Sequence, residues 1–285
     1  MYVINCNTKE TYRFDDENAI LALMDLGVIP NELSTSKAVS QIGETVVDQQ
    51  LGRREWQLVG CLTAETPQQM QEKRRKTTRF FHPLHRFELI CGDRKLEFRL
   101  QSSVDYDDDY RTDTGEFLQY TLSAVSPQPY FQAVSPIAVE IAQWTPKFTL
   151  PFTLPMQFAE REPSVIAQLY NPGDFECGIK ISFSVTGAVT DPEVVDVNDT
   201  SRYFRFSGLT LQAGDFVEVD TQQKTVLLTR GGETTDRFND IDMRSTFLYL
   251  PPGDSLIKYD AKSNPDGLNV TISFTPLYLD EGGNA

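Results

Sequence analysis

The sequence predicts a mainly β chain in two parts, with short helices only in the first part. Three observations carry that reading. Ile179, Ile181, Phe183 and Val185 alternate with polar residues, as do Leu268, Val270, Ile272 and Phe274, which is the period of a half-buried strand. Turn signals separate such runs: Ala213-Gly214-Asp215, Gly231-Gly232, Pro252-Gly253-Asp254 and Pro265-Asp266-Gly267. The length, 285 residues, exceeds what one hydrophobic core comfortably organises and suits two.

The first segment with a helical pattern is 15–27, "DDENAILALMDLG". Asp15 or Asp16 can cap it, acids fill its first turn, Ile20, Leu23 and Met24 share a face, and Gly27 ends it. Pro30 and the polar stretch "NELSTSKAVS" read as a loop. Strand patterns begin at Ile42. In "REWQLVGCL", Arg54, Trp56, Leu58 and Leu62 share one face, and Glu55, Gln57, Val59 and Cys61 the other. A second helix follows, with Thr66 as N-cap, Pro67 at its first position and Gln69 completing a capping box; Pro83 stops it. Its apolar stripe is thin: Met70, the stem of Arg74, Thr77 and Phe81. A helix so weakly amphipathic is lightly docked or covered from outside its own domain.

Three strands come next. "RFELICG" turns through Gly-Asp into "KLEFRLQ", and "EFLQYTLSAV" completes an antiparallel meander. Residues 126–165 are rich in proline and carry Trp144, Phe148, Phe152 and Phe158, too much apolar surface for a disordered linker. The expected division is therefore 1–132, a junction with an opening strand at 133–164, and 165–285. Short strands at the spacing seen after 165 predict a β-sandwich.

The formal charge is −15, net −5 over residues 1–131 and −10 over the remainder. Such a surface repels phosphate and anionic lipid, so neither nucleic-acid binding nor membrane insertion is expected. Cys6, Cys61, Cys91 and Cys177 have no zinc spacing and no disulfide frame. Cys61 and Cys91 fall in strand-like runs and read as buried thiols, which suits folding in a reducing cytoplasm. The first residues show no signal peptide, and the run Ala19–Met24 is far too short for a membrane span.

Candidate chemistry is sparse. Asp105, Asp107, Asp109, Asp113 and Glu116 stand at calcium-loop positions 1, 3, 5, 9 and 12, but Tyr110 occupies the position that needs glycine, and the flanks are strands. The bland alternative is a solvated hairpin tip. His82 and His85 are the only histidines, with no third ligand nearby in sequence and no GxSxG elbow for a nucleophile. No carboxylate pair is singled out for glycoside hydrolysis. No catalytic, cofactor or metal residue is predicted. The basic cluster Lys73, Arg74, Arg75, Lys76 and Arg79 lacks interleaved aromatics, and reads as a solvated face or as a dock for a neighbour's acidic surface.

In order and spacing, "GRREWQLVG", the Thr-Pro-capped helix with its "RR", "FELICGDRKLEFRL" and "SAVSPQPYF" resemble the N-terminal domain of siphophage distal tail proteins. "WTPKFTLPF", "YNPGDFECGIKISFSVTGAVTDPEV", "LQAGDFVEVDTQQKTVLL" and "LPPGDSLIKYD" resemble that family's second domain. The resemblance implies an N-terminal split β-barrel with an inserted α-helix and a C-terminal galectin-like β-sandwich. It implies a hexameric ring in the virion baseplate, without catalysis, assembled in the host cytoplasm. The implied partners are further copies, the tail tube protein, the tail-tip hub with its tail-associated lysin, and receptor-binding proteins. On this reading Trp56 and Leu58 enter the core, while Arg53, Glu55 and Gln57, on a ring edge, pair with the next subunit, together with Arg74, Arg75 and Arg79. An alternative is carbohydrate binding to cell-surface glycans through the second domain, with Tyr203, Phe204, Tyr249 or Tyr259 stacking on a sugar.

Overall fold

The computed structural model describes residues 1–16, 19–107, 116–141, 143–146, 159–162 and 166–282. Unit 1 comprises Met1–Val134 together with the chain from Leu279; unit 2 is Ser135–Tyr278.

Unit 1 contains β1 (Tyr2–Asn5), β2 (Thr11–Arg13), β3 (Asp15–Asp16), β4 (Ala19–Asp25), β5 (Asn31–Ser36), β6 (Thr45–Leu51), β7 (Arg54–Thr63), α1 (Pro67–Phe80), β8 (Phe87–Cys91), β9 (Arg94–Leu100), β10 (Asp105–Tyr106), β11 (Phe117–Ser126) and β12 (Phe131–Ala133). The strand order is β2-β1-β8-β9-β11-β7-β4-β3. Only two residue pairs, Ala124↔Leu100 and Val125↔Arg99, join β9 to β11. The path therefore folds there into two leaves that face one another. Trp56 on one leaf meets Phe98 on the other edge-to-face at 4.8 Å, and the Tyr12 and Tyr120 hydroxyls are 3.1 Å apart. Trp56 Nε1 donates to Ser126 Oγ at 3.1 Å, which satisfies its buried polar atom.

The segment expected as a helix at 15–27 is extended in its described part, β3 and β4; residues 17 and 18 lie outside the described residues. β4 pairs antiparallel with β7 from Ala19↔Leu62 to Asp25↔Gln57, with a bulge between Leu21 and Leu23. The bulge explains the misleading pattern. One extra residue in an alternating strand spaces two outward side chains by three. Ile20 and Leu23 are thus both exposed, as they would be on one helical face. Seven residues cannot sustain a helix alone, whereas the backbone of β7 supplies a ladder. The stretch read as a loop also differs: Asn31–Ser36 is β5, paired with β6 in a two-stranded ribbon.

Helix α1 follows its sequence signals. The Thr66 side chain accepts from the Gln69 amide at 3.3 Å, with Pro67 in the first turn. The Gln69 side chain reaches one residue further back than expected and accepts from the Glu65 amide at 3.2 Å. Met70, Thr77, Phe80 and Phe81 are buried.

Unit 2 is a sandwich. One sheet runs through β13 (Ile137–Glu140), β26 (Leu268–Phe274), β17 (Cys177–Val185), β21 (Phe216–Asp220), β22 (Thr225–Arg230) and β23 (Glu233–Asp236), with β24 (Tyr249–Leu250) on β17. The other runs through β16 (Ile166–Asn171), β25 (Gly253–Ser263), β18 (Val189–Asp196) and β19 (Tyr203–Arg205), with β20 (Thr210–Leu211) on β18. A separate pair joins β14 (Gln143–Pro146) to β15 (Ala159–Glu162). One core is shared by Ile181, Phe183 and Ile272 of the first sheet and Val194, Ile257 and Tyr259 of the second. Of the junction aromatics, Phe148, Phe152, Phe158 and the Trp144 side chain lie outside the described residues.

All four cysteines are free; Cys61 and Cys177 are buried, whereas Cys91, at the end of β8, is half-buried. Burial pushes the Cys91 and Cys177 thiols up to about 11.

The turn after β20 carries an ion pair between the buried Asp215 and the exposed Arg230. Asp215 accepts from Arg230 Nε at 2.8 Å and Nη2 at 2.5 Å, and from the Gln212 amide at 2.7 Å. The Arg230 guanidinium, then that amide, hold its carboxyl below the usual carboxylate range. A depressed native value stabilises unit 2 above the unfolded value of about 3.9, and the stabilisation is lost as pH falls through the native value. Melting of unit 2 should therefore be level from pH 7 to about 4 and fall steeply below. Arg230→Met should lower the neutral melting temperature and flatten that acid limb; a variant with an unchanged pH profile would refute the linkage.

Candidate assembly surface

Residues 53–57 form two layers. Arg54 and Trp56 point into unit 1, while Arg53, Glu55 and Gln57 are exposed. Arg53 Nη2 lies 2.8 Å from Glu55 Oε1, so these two charges pair with one another along the strand. β7 is an interior strand, bonded to β11 along its whole length and to β4 from Gln57 onward. The charged row lies on the outer face of a leaf, where alternation puts polar side chains in water.

Arg54 is different in kind. It is 4% exposed. Its Nη2 donates to the Leu279 carbonyl at 2.8 Å, and its guanidinium sits 5.2 Å from the Phe131 ring centroid. Nε has no hydrogen-bond partner. Burial pulls its pKa down, and the nearby Glu281 carboxylate opposes that shift. Arg94 adds a second tie, its Nη1 donating to the Asp280 carboxylate. Alternation alone places Arg54 on the core face; nothing in sequence signals a partner 225 residues away.

On α1, Arg75 and Arg79 are exposed. Arg74 is half-buried, with its guanidinium 4.5 Å from the Tyr106 ring centroid. The Tyr106 hydroxyl donates to the Arg74 carbonyl at 2.9 Å. Arg74 thus pins β10 to the helix, and Arg75, Lys76 and Arg79 face outward.

Where α1 ends, Asn5 is a wholly buried hub. Its Nδ2 donates to the Phe80 carbonyl at 2.8 Å and to His85 Nδ1 at 3.0 Å, leaving the His85 proton on Nε2. Its Oδ1 accepts from the amides of Asn7 and Thr8. The Cys6 amide donates to the Arg86 carbonyl, and the Arg86 amide to Asn7 Oδ1. The β1–β2 turn, the last turn of α1 and the following loop are thereby fixed together. Leu84 stands out from this end, 80% exposed, among the exposed Lys9, Arg79 and Arg86.

Among the described residues no group of three or more His, Cys, Asp or Glu side chains is placed to hold a metal. The His82 and His85 rings lie 4.8 Å apart. Of the calcium-loop positions, Asp105 is in β10, Asp107 follows it and Glu116 precedes β11; Asp109 and Asp113 lie outside the described residues. In unit 2, Tyr259 and Phe204 are fully buried and offer no face to a sugar. Tyr203 and Tyr249 are half-buried. Arg205 stacks 5.0 Å from the Tyr203 ring centroid, and the Tyr249 hydroxyl donates to the Thr221 carbonyl. A cleft of about 460 Å³ is lined chiefly by Asp191, Glu193, Arg205, Asp242, Asp260 and Lys262. Its cations are paired within it, Arg205 with Glu193 and Lys262 with Asp191.

Residues 172–278 match the family described as siphovirus-type tail component, C-terminal domain. No curated protein matches the chain. Among solved structures, the Dit protein of phage SPP1 is similar over 92% of this chain and 94% of its own, at 12% identity and a TM-score of 0.69. That protein is described as a paradigm of the hub adsorption apparatus in phages that infect Gram-positive hosts. Two structures of the phage P2 baseplate in its activated conformation, with calcium and with strontium, match at 8% identity and a TM-score of 0.49. The calcium structure matches over 96% of this chain and 97% of that one, the strontium structure over 96% of each. Residues 172–278 thus carry the match to the siphovirus-type tail component C-terminal domain, and this supports a structural role in the phage tail and baseplate.

Proposed function

We propose that unit 1 assembles copies of this chain into a closed ring of six. The ring joins the tail tube to the tail-tip hub and its lysin, and unit 2 carries receptor-binding proteins outward. The reading supposes assembly in the host cytoplasm and no catalysis. The observation that carries it is the presence of two unlike exposed surfaces on one unit. One is the exposed row Arg53, Glu55 and Gln57; the other is α1, which presents Arg75 and Arg79 on a chain of net charge −15. Two different patches that fit one another make a head-to-tail contact, and repeating such a contact closes a ring when the rotation per step divides a full turn. An acidic bore would let DNA pass without adhering.

Mass by light scattering over a concentration series tests the ring, with a sixfold mass expected at the upper end. Added salt should weaken the assembly, because exposed charges are screened. The double variant Arg75→Glu/Arg79→Glu should require at least about tenfold more protein to reach the same mass. A wild-type chain that remains a monomer both alone and with tail-tube and hub proteins would end this reading.

A further inference from the structure

An edge strand presents backbone donors and acceptors that its own sheet does not use, and folded proteins blunt such edges with charge, proline, bulges or brevity. In unit 2 the first sheet ends on β13 and β23, the second on β16 and β19. Three of these edges are guarded. β13 is short and closes on Glu140, β23 runs from Glu233 to Asp236, and β19 is shorter still and ends in Arg205. β16 has none of these devices. Its sequence, IAQLYN, holds no charge and no proline, and it pairs with β25 from Ile166↔Lys258 to Asn171↔Gly253 without a bulge. Among the described residues no strand pairs with its other side.

The register fixes which backbone groups point away. The Val197 amide, just past β18, donates to the Leu256 carbonyl at 2.8 Å. Along an antiparallel strand each residue turns its N–H and C=O to one side, and the next residue turns them to the other. Leu256 therefore faces β18, while Ser255 and Ile257 face β16, where they bond Leu169 and Ala167. Gln168 and Tyr170 consequently direct their N–H and C=O groups outward, and both residues are exposed. Beside that row the outer face presents Tyr170, 60% exposed, and Ile166, 46% exposed, while Ala167 and Leu169 are buried in the core. Outward backbone groups at alternate residues match the ladder of one added strand. The exposed Ile166 and Tyr170 side chains favour apolar residues on the outer face of that strand.

We propose that the β16 edge is a strand-addition site, at which an extended apolar segment of a receptor-binding protein completes the second sheet of unit 2. The inference rests on the reading that unit 2 carries such proteins outward, and it assigns their contact. Symmetry argues against a second copy of this chain as the source. Two β16 edges joined antiparallel are related by a twofold axis, which a ring built from one repeated rotation lacks, and the remaining edges of unit 2 are guarded. The net charge of −10 beyond residue 131 favours an incoming segment without carboxylates.

The test uses the full chain, with the purified receptor-binding, hub and tube proteins of the same phage as probes. Amide exchange at 168 and 170 should slow at least about tenfold when the receptor-binding protein is added. Gln168→Pro removes an outward N–H and no bond of the sheet's own ladder, so unit 2 should melt near the wild-type temperature. Its Kd for the receptor-binding protein should nonetheless rise at least about tenfold, because a carbonyl of the added strand loses its donor. Gln168→Ala keeps the N–H and should bind as wild type does. Ile166→Lys/Tyr170→Lys changes exposed side chains alone, gives the edge the charge that the others have, and should weaken binding likewise; it decides the matter if the proline variant misfolds. Equal Kd for the folded proline and alanine variants, or a bound receptor-binding protein that leaves both amides exchanging freely, overturns strand addition and leaves carriage by unit 2 standing. Exchange that slows in the chain alone, or only with hub or tube protein, overturns the assigned partner. A receptor-binding protein that does not bind the full chain at all overturns both readings.

Discussion

Gly60→Ala should unfold unit 1 well below the temperature at which wild type melts. Gly60 lies directly across from Tyr120 in the β7–β11 register. A Cβ added there would stand 2.3 Å from Tyr120 Cζ and 2.4 Å from its hydroxyl oxygen. The ring has nowhere to go. It is wholly buried, its hydroxyl is 3.1 Å from that of Tyr12, and burial raises its pKa so that it stays neutral. Overpacking a fixed core typically costs 1–3 kcal/mol, and contact this short belongs at or above about 3 kcal/mol. Against a total stability on the order of 5–15 kcal/mol, that is a large share. The double variant Gly60→Ala/Tyr120→Leu should recover much of the loss, giving a coupling of about 1–3 kcal/mol in a mutant cycle. Denaturant melts of the four chains measure it. A single variant within about 0.5 kcal/mol of wild type would show that the strands slide apart freely.

Arg54→Ala is the second large effect, and its neighbour provides the control. Arg53 is exposed and paired along the strand with Glu55; such pairs contribute below about 1 kcal/mol, so Arg53→Ala should barely move the melt. Removing Arg54 takes away its Nη2 donor to the Leu279 carbonyl and the cation beside Glu281, whose Oε2 is buried without a hydrogen bond. Stripping one partner from a buried charged contact costs about 3 kcal/mol. Arg54→Lys should recover only part, because an ammonium lacks the flat face set toward Phe131. Equal effects at 53 and 54 would refute this division.

Much of the architecture was legible because burial enforces alternation. The strands at 179–185 and 268–274 bury every second residue, as their spacing implies. The cap Thr66 and Pro67 located α1, since the backbone amides of a first turn need a side-chain acceptor wherever the helix sits. β4 was not legible, because a bulge gives a strand the spacing of a helix. β5 was hidden for the opposite reason: no face of it is buried, so its serines and threonines carry no period. The charged row 53–57 was legible as a pattern, because alternation along β7 sets Arg53, Glu55 and Gln57 opposite Arg54 and Trp56.

Arg54 also bears on how the molecule is made. Its acceptor, Leu279, follows all of unit 2 in the chain. While a ribosome is still translating unit 2, Arg54 therefore lacks the Leu279 carbonyl to which it donates in the folded unit, so this tie within unit 1 closes only after residue 279 has been translated.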